Sequence, residues 1–349
     1  MIRKTCEWFS ARCGGTPVGV WVHNWKPLAL SSVVMIAVLF GVVPTAQATQ
    51  DLWRGSALSP LPPAPANIDA RKVRLGEEMF HDPRLSADDT ISCASCHDLN
   101  AGGVDGLEKA VGIGGMKGGI NTPTVFNSAY NFKQFWDGRA ESLEEQATGP
   151  VHNPVEMGSN WPEVVAKLKE DERIRELFEE IYEDGITGDN IVDTIATFER
   201  TLVTIDAPFD RYLQGDQGAI SEQAAKGYEL FMSYGCSSCH QGVNVGGNMY
   251  QTMGVLADYF NDRGNVQDSD MGRYQVTGRD EDRHVFKVPS LRVVKFTAPY
   301  FHDGSAKTLE DAVKYMAKYQ LGREIPDADV KAIIAFLESL AGEYKRFDP

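Results

Sequence analysis

Two five-residue motifs carry the plainest chemistry in this chain. CASCH at 93–97 and CSSCH at 236–240 each set two cysteines two residues apart, with a histidine directly after the second. Thiols at that spacing can add to the two vinyl groups of one haem, and the adjoining imidazole then reaches the iron as an axial ligand. The competing use of paired cysteines is a zinc site, which wants four ligands gathered from two clusters. Here each motif is complete by itself and follows a helical pattern. Cys93, Cys96, Cys236 and Cys239 therefore read as the attachment points of two covalently bound c-type haems, with His97 and His240 as proximal iron ligands. The chain has six cysteines, and the remaining two, Cys6 and Cys13, lie in an N-terminal leader. Cleavage of that leader leaves none for a disulfide.

The second axial position of each iron decides function. A closed iron moves electrons, whereas an open one can bind a small molecule. Met249, Met253, Met271 and Met316 are sulfur candidates near the second motif, although a single methionine is more often core filler. Downstream of the first motif, AVGIGGMKGG (110–119) offers one large apolar residue, Ile113, one thioether, Met116, and no histidine.

Helices must position these groups. ARKVRLGEEMF (70–80) and SEQAAKGYELF (221–231) both place apolar residues at helical spacing, both set a glycine four residues before a phenylalanine, and both lead to a C-x-x-C-H. This is a weak internal repeat. Further helices are expected over 160–183, opened by Asn160 and Pro162, over 188–203, over 308–316 from a Thr-x-x-Asp capping box, and over 327–340. No long stretch alternates apolar and polar residues, so strands should be minor.

With 349 residues and 42% hydrophobic content the chain can build two domains. A net charge of −15 argues against nucleic acid as a partner. It fits a solvated acidic surface or attraction of a basic protein. Arg3, Lys4, Arg12 and Lys26 precede the apolar run 28–43 and the small-residue segment PTAQA (44–48), the pattern of an export signal cleaved after Ala48. The run is short for a membrane span, which needs about 20 apolar residues; an uncleaved anchor is the alternative. A Pro- and Ala-rich lead occupies 49–66.

Longer stretches identify a family. FHDPRLSADDTISCASCHDLN, NTPTVFNSAYNFKQFWDGRAESLEEQA, GPVHNPVEMG, TLVTIDAPFDRYLQGD, GCSSCHQGVNVGG, VPSLRVVKFTAPYFHDGS and MAKYQLG, spread over about residues 70–341, resemble the bacterial di-haem cytochrome c peroxidases. The resemblance implies a mainly α fold of two cytochrome c-like domains, each with one c-type haem: a peroxidatic domain over 67–210 and an electron-transfer domain over 211–349. It implies Met316 as the second ligand opposite His240 and Trp136 as the bridge between the haems. Asn121, Thr297 and Pro299 match residues around a calcium ion, a hard-oxygen site. Gln146 and Glu156 match the polar pair beside the peroxide site. There a carboxylate can carry a proton from one peroxide oxygen to the other, and an amide can hold the peroxide.

The chain departs from the family at Ile113, which falls where many members carry a histidine that caps the first iron in the oxidised enzyme. Isoleucine cannot ligate iron. Three readings follow: a site open at rest that needs no reductive activation, a cap supplied by Met116, or a cap from elsewhere or a different loop register. His81 and His152 are the other histidines in reach along the sequence.

The expected activity is reduction of hydrogen peroxide to water in the periplasm, with electrons from a small carrier such as a cytochrome c or cupredoxin; a homodimer is possible in this family. The alternatives are a di-haem oxidase of a protein or organic partner, and a non-catalytic di-haem electron carrier or sensor. Related quinone-cofactor-forming oxidases replace the methionine ligand by tyrosine, so Met316 argues against that subgroup.

Overall fold

A computed structural model describes residues 56–347; the expected export signal lies outside the described residues. In chain order the main helices are α1 (Ala70–His81), α2 (Leu143–His152), α3 (Trp161–Lys169), α4 (Glu172–Glu179), α5 (Gly188–Glu199), α6 (Pro208–Leu213), α7 (Glu222–Ser233), α8 (Leu309–Tyr315) and α9 (Asp327–Ser339). The strands β1 (Thr204–Ile205), β2 (Tyr250–Thr252), β3 (Val285–Lys287) and β4 (Glu343–Tyr344) form two antiparallel pairs, β1 with β4 and β2 with β3. The fold is mainly helical, and strands are minor as the lack of alternation requires. Among the described residues no helix is long and apolar enough to cross a membrane.

Local signals start the helices where the sequence places them. Asn160 caps α3 by accepting from the Glu163 amide, with Pro162 in the first turn. Thr308 and Asp311 form the reciprocal capping box of α8. The expected single helix over 160–183 is instead two, α3 and α4. Asp171 breaks it: its carboxylate accepts from the Ile174 amide and starts a new helix in place of continuing the old one.

The internal repeat has a packing reason. α1 crosses α5 at Gly76, where an added Cβ would lie 1.9 Å from the Thr194 carbonyl oxygen and 2.9 Å from the Phe198 Cβ. α7 crosses α9 at Gly227, where it would lie 1.8 Å from the Ala332 oxygen and 2.9 Å from the Phe336 Cβ. In each copy the phenylalanine four residues on meets the same partner ring: Phe80 meets Phe198 at 5.4 Å and Phe231 meets Phe336 at 5.1 Å. Only glycine lets two helix backbones approach this closely.

Two large apolar clusters result, beside a smaller one of Tyr259, Phe260, Phe286 and Tyr319. One gathers residues from α1 to α5. The other gathers α6, α7, α9 and the wholly buried Leu58. The chain ends cross between them. The lead around Leu58 packs on the second cluster, where Gly242 donates to the Ala57 carbonyl and the buried Arg292 guanidinium to the Ser59 carbonyl. In return β4 brings Tyr344 back onto the first cluster.

Candidate functional site

The first C-x-x-C-H lies on a one-turn helix, Cys93–Cys96, begun by a capping box between Ser92 and Ser95. His97 follows, and its Nδ1 lies 3.1 Å from the Gly103 carbonyl. That carbonyl can only accept, so Nδ1 carries the proton and Nε2 keeps its lone pair for a metal. Burial holds the ring's pKa below its ordinary value, so the imidazole is neutral. Burial also pushes the Cys93 thiol up to about 12, with Glu199 and Cys96 adding to the effect. Cys96 is pushed up to about 11 by burial, then by Asp105 and Glu156.

The second motif follows the C-terminus of α7, where Gly235 takes a φ of 89° and a tight turn carries Cys236–Ser238. His240 Nδ1 is buried with no partner at hydrogen-bonding distance. Burial pushes its pKa down to about 4, only partly offset by the nearby carbonyls of Val245 and Pro289. A cavity of about 500 Å³ lies beside it, lined by Cys236, Cys239, His240 and Met316 and largely by apolar side chains. Met316 opens a π-helical turn, Met316–Gln320, that continues α8; such turns recur at functional sites. Met253 also lines the cavity, its sulfur 3.9 Å from Gln320 Nε2. Met271 is engaged elsewhere, accepting from the Arg283 guanidinium at 3.5 Å.

These residues fit a haem better than zinc. Each motif offers two thiols and a neutral imidazole, and the second faces an apolar cavity. Among the described residues, the one group of three His, Cys, Asp or Glu side chains close enough to share an ion is Asp270, His302 and Asp303. Arg263 and the His302 ring already bond those carboxylates.

Trp136 lines the same cavity as His240. Its Nε1 donates to the Asn121 carbonyl at 3.0 Å, and its ring stands edge-on to His302 at 6.3 Å. The loop carrying it is a small hairpin closed by pairing of Gln134 with Ala140. On that hairpin the Arg139 guanidinium sits 3.4 Å over the Phe135 ring. Asn121, Thr297 and Pro299 all line the cavity as well. Asn121 Nδ2 is tied to the Leu107 carbonyl at 2.8 Å, which leaves Oδ1 as the side-chain atom suited to a cation.

Gln146 is half-buried on α2, and Glu156 lies in the turn after it. Asn153 Nδ2 donates to Glu156 Oε1 at 2.6 Å, so Oε2 is the freer oxygen. Burial raises the carboxyl's pKa more than the Arg139 charge and the Asn153 bond lower it. Glu156 in turn raises the Cys96 thiol, which puts its carboxylate within electrostatic reach of the first motif. No hydrogen bond joins Gln146 to Glu156. The sequence reading passed over Arg139 and Asn153. The Asn-Pro-x-Glu spacing was a usable signal for Asn153, whose side chain also accepts from the Val155 amide.

The glycine-rich stretch forms a hairpin pinned at both ends. Val111 pairs with Lys117, and the Gly112 amide donates to the Met116 carbonyl at 2.8 Å. The Ile113 amide donates to the Glu156 carbonyl at 2.7 Å, and its side chain lies over Gly158. Met116 is 42% exposed. His81 and His152 are exposed too: His81 bonds the Glu77 carbonyl and His152 stands edge-on to Trp161.

Comparison with known proteins gives the family. A family profile described as di-haem cytochrome c peroxidase matches residues 70–218. Cytochrome c peroxidase Ccp of Escherichia coli is 51% identical over 288 residues, which are 82% of this chain and 62% of that protein, so this chain spans less than two thirds of that relative. Cytochrome c551 peroxidase of Nitrosomonas europaea is 46% identical over 81% of this chain and 83% of its own length. Among solved structures, a MauG-like protein associated with microbial copper homeostasis superposes with a TM-score of 0.72 at 27% identity, over 81% of this chain and 93% of that one. With these matches and the paired C-x-x-C-H sites, the chain belongs to the di-haem cytochrome c peroxidase family.

Proposed function

We propose that this protein is a periplasmic cytochrome c peroxidase that reduces hydrogen peroxide to two waters with two electrons from a small carrier protein. The observation that carries the reading is Glu156: a half-buried carboxyl with a raised pKa, held by Asn153 and within electrostatic reach of the first haem-attachment turn.

Two c-type haems are held by Cys93 and Cys96 with His97, and by Cys236 and Cys239 with His240 and Met316, in domains spanning 67–210 and 211–349. The haem at Cys93 and Cys96 would supply the peroxide-binding site, and the two haems together the electrons for cleavage of the O–O bond. The protein's own residues handle protons and position. Glu156 Oε2 takes the proton from one peroxide oxygen and returns it to the other, which leaves as water. Its raised pKa suits it to do both. Gln146 orients the peroxide with its amide, and Arg139 supplies positive charge that steadies the carboxylate when it is ionised. Trp136 places an indole on the wall of the cavity beside His240, fixed by its bond to Asn121, and so connects the two halves for electron transfer. Asn121, Thr297 and Pro299 hold a calcium ion beside that indole. Residues 1–48 direct export and are removed.

Ile113 cannot ligate iron and Met116 is exposed, so neither would cap a haem bound at Cys93 and Cys96, and that site would be open at rest. The function is tested by steady-state peroxide reduction with a reduced cytochrome c. Glu156→Ala loses most of the activity; unchanged turnover overturns its role. Oxidation of an organic or protein partner in place of cytochrome turnover would favour the oxidase reading.

A further inference from the structure

Glu199, the last residue of α5, has no part in the reaction above. Its side chain is 4% exposed, and Oε2 is buried with no hydrogen-bond partner. A buried carboxyl without a partner is costly to ionise. Phe198 and Leu202 on either side of it belong to the core against which Cys93 packs. Cys93 packs against this same cluster, and the Glu199 charge is felt at its sulfur, which places the carboxyl in the neighbourhood of the first haem-attachment turn.

Few charged groups face it. From its own helix end comes Arg200, whose guanidinium is held in an ion pair with Glu144. From α2 comes Glu144 itself, a like charge. From the CASCH turn come only thiols, which cease to be acids once bonded to haem. Burial, with Glu144 against Arg200, pushes the carboxyl up to about 8, so it exchanges its proton near neutral pH.

We propose that Glu199 is the redox-linked proton site of the haem held at Cys93 and Cys96; this rests on the reading that a haem is bound there. When one electron from the carrier protein arrives at that haem, one proton from solvent bonds to the Glu199 carboxylate. When the electron leaves, the same O–H bond breaks and the proton returns to solvent. The buried charge is thereby held constant, where the interior resists a change in net charge. Glu199 is a positioning residue for charge and touches neither peroxide nor the iron.

The test is a spectroelectrochemical titration of both haems in the full chain across the neutral and mildly alkaline range. Proton uptake on reduction means that the first haem's potential falls as pH rises. Glu199→Gln should flatten that dependence and leave the second haem unchanged. Glu144→Gln should keep the dependence but move it to lower pH, because a like charge is gone and Arg200 is freed. An unchanged slope in Glu199→Gln overturns the proposal and assigns the proton to another group, such as a haem propionate. If Glu199→Gln does not accumulate folded, infrared redox-difference spectra of the wild type and of Glu199→Asp decide the matter. A protonated-carboxyl band that appears on reduction and moves in Glu199→Asp supports the assignment, and its absence rejects it. A haem count on the same sample separates the two claims. Two haems per chain preserve the reading on which the proposal rests, whereas one haem at Cys236 and Cys239 removes both.

Discussion

The Ile113 amide donates to the Glu156 carbonyl at 2.7 Å. The hairpin that carries Ile113 is therefore docked on the backbone of the proposed proton carrier. Gly112 makes the docking possible: a Cβ there would lie 2.2 Å from the Val155 carbonyl oxygen and 2.5 Å from that of Glu156.

Gly112→Ala should therefore displace the Glu156 turn without unfolding the protein. A shift of about 1 Å at a reacting group costs up to about 100-fold in rate. A fall of about 10- to 100-fold in kcat/KM, with haem content and Tm near wild type, is expected. Unchanged kcat/KM would show that the hairpin does not position Glu156.

The Asn153 bond favours the ionised form of Glu156, while burial opposes it more strongly. Proton abstraction needs the carboxylate, so the acid limb of the kcat/KM profile reports its titration. Asn153→Ala removes a donor to the charged form, raises the carboxyl's pKa further and should move that limb to higher pH. Glu156→Gln should remove the limb and lower the rate by about 100- to 10,000-fold.

The open resting site predicts a high-spin ferric signal from the first haem beside one low-spin haem, read by electron paramagnetic resonance of the oxidised protein. Peroxide should then react without prior reduction. Ile113→His should convert the first signal to low spin and restore a need for reductive activation. Two low-spin haems in the wild type would mean that another residue caps the iron, with Met116 the first to substitute.

Helix propensity alone favours alanine over glycine by about 1 kcal/mol. At Gly227 the sign should reverse, because the Cβ would lie 1.8 Å from the Ala332 carbonyl oxygen. Gly227→Ala should destabilise the fold by about 1–3 kcal/mol or more, as overpacked cores do, and Gly76→Ala should behave alike. Thermal unfolding of the holoprotein measures both.

A buried network of Asp270, His302, Arg263 and Asp303 stands behind Trp136. Burial alone would raise the Asp270 carboxyl, but the bonds from His302 and Arg263 outweigh it and hold the group well below the usual carboxylate range. With the folded value depressed, this stabilisation is complete above the unfolded value of about 4 and is lost as pH falls through the folded one. Asp270→Asn should cost about 1–3 kcal/mol, since the half-buried Arg263 loses one of its two carboxylate partners and keeps Asp303. It should also flatten the acid side of the stability–pH curve, checked by denaturant titration at several pH values.

Much of this protein is local chemistry, and the sequence by itself determined that part. A thiol pair two residues apart with a following histidine is a signature of covalent haem attachment that is legible wherever it falls in the chain. The Thr308–Asp311 box and the Asn160 cap act within one helical turn, and so were legible from spacing alone. The repeated glycine before Phe80 and Phe231 marked something special without showing what. Tertiary structure decided everything that depends on residues distant in the chain. Glu199 is an ordinary helix residue until α2 and the CASCH turn come near it. Arg139 acts on Glu156 only because its hairpin folds back toward that turn. Leu58, in a stretch that composition reads as a bare lead, is wholly buried because the second cluster has a place for it. The expected helix over 160–183 broke at Asp171 because a side chain competed with the backbone for an amide, a contest that periodicity does not register. Burial removes water and so shifts the pKa of Glu156, Glu199, His97 and His240, and burial is a property of the packed chain.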